Sequence, residues 1–309
     1  GNYALIMVKP NWHDPTELVG YVSRIGEKPR YVVTEFLRFL VKAWQHPGTP
    51  FFLCLDEMNL APVEQYFADY LSVVETRRTD EAGQVITDAL LSVDHVEDAV
   101  VFRDALLAMG LEQDAELMDR FMRDGITLPP NLVVMGTVNM DETTHSFSRK
   151  VLDRAMTFEM NHVDLRAGLG EQDVQWSYPE LPLSADLALG RITRGGDVPQ
   201  SFAGAEEVLK WLEQLNGVLD GTPFKVAYRV RDEALIYAYH NSGLSNKPSD
   251  WLQQCLDEMM VMKVLSRIEG DAGRVGEVLT NLMNMLPENW KQSRKKIAEM
   301  QHKLTFGYT

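Results

Sequence analysis

Residues 51–67 read FFLCLDEMNLAPVEQYF. Five apolar residues, Phe51 to Leu55, run straight into two adjacent carboxylates, Asp56 and Glu57. A short continuous apolar run of this kind reads as a buried strand. Two charges at the tip of such a strand need a purpose or a plain exit into solvent. Neighbouring residues on an extended chain point in different directions, so the pair suits two separate roles.

Working outward, Ala4–Val8 reads as another short buried strand. Asp14, Pro15 and Glu17 form an N-cap, first-turn proline and capping-box partner for a short helix through Leu18. A clearer helix starts at Thr34. Phe36, Leu37, Leu40, Val41 and Trp44 fall at helical spacing, and Pro47-Gly48 ends it. After the central strand, a helix is expected from about residue 62 to 75. Residues 77–125 are acidic, mostly helical in pattern, and read as an insertion between core elements. Asn131–Thr137 (NLVVMGT) is an apolar strand introduced by Pro129-Pro130. A further strand is expected over Met156–Met160. Strand and helix alternate, and the strands are continuously apolar, which predicts a parallel sheet covered on both faces.

The expected boundaries are an α/β core over 1–164, a Gly-, Pro- and Ser-rich linker over 165–204, and an all-helical domain over 205–309. Five helices are read in that last part, near 205–219, 229–240, 251–268, 273–286 and 290–304. The Met-rich run LDEMMVMKVL reads as core packing of one of them.

The composition is that of a globular chain of 309 residues with a formal net charge of −15. Phosphate-backbone binding needs clustered Lys and Arg, so broad nucleic-acid binding by this chain is disfavoured. No run of eighteen apolar residues is present and no secretory pattern opens the sequence, so a cytoplasmic protein without membrane spans is expected. Cys54 and Cys255 fit no metal spacing and read as reduced core residues.

Ligands of open α/β sheets bind beyond the carboxyl ends of the strands. There Asp56 could hold Mg²⁺ through water and Glu57 could orient or deprotonate an attacking water. Asn139, just past the tip of the second apolar strand, could hydrogen-bond that water or a phosphate oxygen. Arg149, Lys150 and Arg154 in SRKVLDRA are cations that could reach a phosphate in the same or a neighbouring subunit. Each has a plainer reading: a strand-ending turn, an Asn-initiated turn, a solvated helix end. His145 lies near this site and reads as a surface histidine.

Together these stretches resemble the AAA+ NTPases, in particular the McrB-like branch. FFLCLDEMNLAPVEQYFADYLSVVE is similar to an extended Walker B strand and its helix. NLVVMGTVNMDETTHSFS resembles the sensor 1 strand and loop, and KVLDRA the arginine-finger segment. VKPNWHDPTELVGY and YVVTEFLRFLVKA look like the second strand and helix of the branch. YRVRDEALIYAY, KVLSRIEGD and the tail SRKKIAEMQHKLTFGYT look like its lid. The resemblance implies a parallel-sheet AAA+ core followed by a helical lid, binding ATP or GTP with Mg²⁺ and assembling as a ring, a hexamer in the family. Asp56 would be the Mg²⁺-water ligand, Glu57 the catalytic carboxylate and Asn139 sensor 1. Arg154 would be the finger, with Lys150 and Arg149 as rivals, and Arg229 would be sensor 2.

No GxxxxGK[ST] phosphate loop occurs in the 309 residues. The sequence is therefore expected to be a portion of a longer protein, lacking the first core strand and the P-loop and inactive alone. The resemblance also implies a partner nuclease subunit and DNA contact through another domain. Two other readings stand beside it: a MoxR-like protein-remodelling chaperone, and a scaffold that has lost catalysis. ETTHSF departs from the Asn-Thr-Ala-Asp pattern of the GTP-using enzyme, which leaves the base of the nucleotide open.

Overall fold

The computed structural model describes residues 1–139, 147–160, 165, 192–244 and 246–306. His145 and most of the expected linker lie outside the described residues. The chain divides into two compact units, one built on Gly1–Ser148, the other on Arg149–Leu165 and Arg194–Thr309.

The first unit is α/β. Strands β1 (Tyr3–Met7), β4 (Phe51–Asp56) and β9 (Leu132–Gly136) form a parallel sheet in the order β1-β4-β9. The run that ends in two carboxylates is thus the central strand. Registers are unbroken, with Leu5 opposite Cys54 and Cys54 opposite Met135. Between β1 and β4 lie helix α1 (Thr16–Val19), a hairpin of β2 (Tyr21–Ser23) and β3 (Arg30–Val32), and helix α2 (Glu35–Gln45). The hairpin was not anticipated from the sequence. Helix α2 starts where expected, because the Thr34 side chain accepts the Leu37 N–H at 3.3 Å.

Helix α2 covers one face of the sheet. Phe39 meets Phe51 edge to face at 5.4 Å, and Leu53 and Leu55 are fully buried. Each such aliphatic side chain contributes about 1.5–3 kcal/mol on burial. The buried Asn131 places its Nδ2, with two protons, within 2.8–3.0 Å of the carbonyls of Ala43, His46 and Thr49, tying the end of α2 to the start of β9.

Among the described residues the other face is exposed along β1 and at Met135, while Cys54 at its centre is buried. Tyr3, Leu5 and Met7 are 57%, 47% and 69% exposed, and Met135 in register with them is 43% exposed. Both faces of β1 are apolar in sequence, so periodicity alone could not distinguish them. An apolar dye should bind here. Leu5→Lys with Met7→Lys is expected to cut its fluorescence while changing stability by about 0.5 kcal/mol or less. An undiminished signal would mean that this face is not the dye's site.

The expected single helix over residues 62–75 is two, α3 (Val63–Tyr66) and α4 (Ala68–Glu75). Tyr66 and Phe67 are both buried. Adjacent side chains of an unbroken helix diverge by about 100°, and the break lets both rings pack.

Residues 77–125 are not a mere helical insertion. They hold a hairpin of β5 (Arg78–Thr79) and β6 (Val85–Ile86), strand β7 (Ala89–Leu91), and helices α5 (Val93–Val96), α6 (Ala99–Ala108) and α7 (Ala115–Asp124). Strand β8 (Ile126–Thr127) then pairs with β7. Phe102, Leu106, Phe121 and Ile126 are completely buried. Trp44 of α2 donates from Nε1 to the Thr127 carbonyl at 2.7 Å and packs on Phe121. The acidic residues occupy only the outer surface of a packed layer.

The second unit opens with α8 (Arg149–Leu152). Met156–Met160, expected as a strand, forms none. Its contacts are with helices: the Thr157 N–H donates to the Met262 carbonyl, and Lys296 pairs with Glu159. Helices α9 (Ala205–Val218), α10 (Tyr228–Ser242), α11 (Trp251–Met259), α12 (Ala272–Met285) and α13 (Lys291–Thr305) follow, close to their predicted bounds. After α11 the helix continues as a π turn over Met260–Val264 and a 3₁₀ turn over Leu265–Arg267. Met259, Met260 and Met262 are buried, as the Met-rich run suggested. Among the described residues no helix is long and apolar enough to cross a membrane.

Candidate functional site

The site is at the carboxyl edge of the parallel sheet. Strand β4 delivers Asp56 there, half-buried, on the same face as the buried Cys54. Burial and the neighbouring Asp56 charge push the Cys54 thiol pKa up. The chain then bends sharply. Glu57 takes a left-handed backbone, φ 50° and ψ 52°, which a non-glycine residue rarely adopts. Two hydrogen bonds to β9's extension hold the bend: Glu57 N–H to Thr137 Oγ1 at 2.9 Å and Met58 N–H to the Thr137 carbonyl at 2.8 Å.

Thr137 is the residue that the sequence reading missed. A hydroxyl has one proton to give. Thr137 gives it to Asp56 Oδ1 at 2.7 Å and accepts the Glu57 N–H with a lone pair. One side chain therefore orients the first carboxylate and the backbone of the second. The available signal was register: Leu55 opposite Gly136 puts residues 56 and 137 next to each other.

Asn139 reaches the same place. Its Nδ2 donates to Glu57 Oε1 at 3.3 Å, and its carbonyl accepts from Asn59 Nδ2 at 2.8 Å. The loop below is tightly packed. A Cβ at Gly136 would collide with Met58 Sδ, and the buried Tyr66 hydroxyl donates to the Met58 carbonyl at 3.0 Å. The structure thus brings together Asp56, Glu57 and Asn139, with Thr137 between them.

The remaining predicted site residues belong to the second unit. Lys150 is exposed and Arg154 half-buried beyond the end of α8, which begins at Arg149. Arg229, at the start of α10, pairs with Asp153 of the KVLDRA segment.

The oxygen donors at the sheet edge fit a hard cation. Among the described residues Asp56 Oδ2 and Glu57 Oε2 have no protein partner. No group of three or more His, Cys, Asp or Glu is placed to hold a metal among the described residues. Mg²⁺ is commonly held by one or two carboxylates together with substrate phosphates and water, so a dedicated cage is not required.

Residues 191–306, which include the helices α9 to α13, match the model of a family described as a domain of unknown function (DUF8727). No curated protein matches the chain.

Proposed function

We propose that this chain carries the hydrolytic side of a Mg²⁺-dependent nucleoside-triphosphatase acting on ATP or GTP, resembling the McrB-like branch of the AAA+ NTPases. One observation carries the reading: Asp56, Thr137, Glu57 and Asn139 share hydrogen bonds at the carboxyl edge of a parallel sheet, where α/β proteins bind their ligands.

In this reading Asp56 would hold the hydrated cation, one of its oxygens being fixed by Thr137. When bound, Mg²⁺ would supply neutralisation of phosphate charge. Glu57 accepts a proton from the attacking water as the water's oxygen bonds to the γ-phosphorus and the nucleoside diphosphate leaves. Asn139 holds the Glu57 carboxylate and can donate to a phosphate oxygen without adding negative charge. Arg154 serves a neighbouring subunit of the ring. Binding of the triphosphate requires a phosphate cradle in addition to these residues. With a net charge of −15, DNA contact is assigned to another domain or subunit, and a nuclease subunit is the partner in keeping with the resemblance.

The test is phosphate release by the intact protein, with ATP and with GTP, in Mg²⁺ and in EDTA. Turnover should require Mg²⁺ and should be lost in Asp56→Asn. Nucleotide binding without any Mg²⁺-dependent turnover would instead favour the scaffold.

A further inference from the structure

Lys263 is a cation inside an apolar core. It lies in the π-helical turn Met260–Val264, between buried Met262 and Val264, and its side chain is 0% exposed. Turns of this kind recur at functional sites. The Lys263 ammonium makes two hydrogen bonds to backbone carbonyls and one ion pair. Its Nζ donates to the Asp153 carbonyl at 2.9 Å and the Ala155 carbonyl at 2.8 Å, and it forms an ion pair with Glu233 Oε2 of α10 at 2.6 Å.

Both carbonyls flank Arg154. The same segment is held by its side chains: Asp153 Oδ2 pairs with Arg229, and Oδ1 with Arg267 at 3.2 Å. Further on, the Thr157 N–H reaches the Met262 carbonyl at 3.4 Å, and Glu159 pairs with Lys296 at 2.5 Å. The segment is therefore tied to the helices at residues 153, 155, 157 and 159.

Stability alone does not explain a lysine here. A buried ion pair is commonly no better than apolar residues of similar volume, and methionines fill the adjoining positions. Burial lowers the Lys263 pKa and raises that of Glu233, each against the pull of its partner. What a methionine could not do is grip two backbone carbonyls.

We propose that Lys263 is a positioning residue: with Glu233 it fixes the backbone on both sides of Arg154, so that the arrangement of the helical unit sets where that arginine points. The functional half of this inference rests on the reading of Arg154 as the residue that serves a neighbouring subunit's nucleotide.

The test compares the intact protein with Lys263→Met/Glu233→Gln, which removes both charges and keeps the volumes. Melting temperature checks folding. Hydrogen exchange of residues 153–157 reads the tether, and steady-state hydrolysis of ATP and GTP reads its consequence. Exchange should quicken about tenfold. Turnover should fall about 10²-fold with KM unchanged, the scale expected when a reacting group is misplaced. Adding Arg154→Ala should then cost little more, because the two changes remove one function. Unchanged exchange overturns the tether. Faster exchange with unchanged turnover overturns its link to Arg154. If the unaltered protein hydrolyses neither nucleotide, the functional half fails and exchange alone judges the tether. Should the double variant not fold, Arg267→Gln, which releases one Asp153 oxygen, is read in the same two ways.

Discussion

Glu57→Gln is expected to lower nucleotide turnover by about 10²–10⁴-fold, the usual contribution of a positioned general base, while nucleotide affinity stays unchanged. The substitution is conservative in shape. The glutamine oxygen can still accept from Asn139 Nδ2, as Glu57 Oε1 does at 3.3 Å, and the backbone bonds to Thr137 do not involve the side chain. The negative charge, and with it the capacity to take a proton, is removed. Turnover equal to that of the unaltered protein would end the catalytic assignment.

A second substitution at this position separates chemistry from stability. The left-handed backbone of Glu57 costs a non-glycine residue about 1–2 kcal/mol. Glu57→Gly should therefore recover part of that strain and raise the melting temperature, although glycine's greater freedom in the unfolded chain offsets some of the gain. It should abolish the same turnover. A strained carboxylate held at a sheet edge is consistent with a site whose side chain is kept for work other than folding.

Much of this site was legible because its signals are local. The apolar run into Asp56 and Glu57 marks a strand tip, and NLVVMGTVN marks a second one. In the parallel pair the two ends meet. Thr137 was less legible because its role depends on register, which neither strand states alone. The helical elements of the second unit were legible from their spacing, but the π turn was not, since a Met-rich run looks alike in either helix. Nor could the sequence show that residues 153–159 belong with the helices. Their anchors, Arg229, Lys263, Arg267 and Lys296, lie between 76 and 137 positions away. The exposure of one face of β1 among the described residues was hidden for a different reason: Tyr3, Leu5 and Met7 are as apolar as residues that are buried.

Phe121→Ala is expected to destabilise the first unit by about 3–5 kcal/mol, the largest stability loss anticipated here. A solvated insertion would tolerate the change at about 0.5 kcal/mol or less. Phe121 lies on α7 within the acidic stretch, but it is fully buried and meets the Trp44 ring edge to face at 6.3 Å. Arg120 also packs on that tryptophan, its guanidinium 4.1 Å from the ring centroid. Trp44 is also bonded to the Thr127 carbonyl, so truncating Phe121 would leave a cavity among side chains already fixed in place. Such a cavity cannot collapse, which puts the cost at the upper end for a large-to-small change. Val100→Ala, at a position 69% exposed on α6, is the matched control and should be near neutral. Denaturant unfolding of both variants decides the matter. If Phe121→Ala is as mild as the control, residues 77–125 are an appendage after all, and their acidic face becomes the feature to explain. A loss of several kcal/mol means instead that this layer supports α2, and through Asn131 and β9 the edge on which Thr137 and Asn139 are carried.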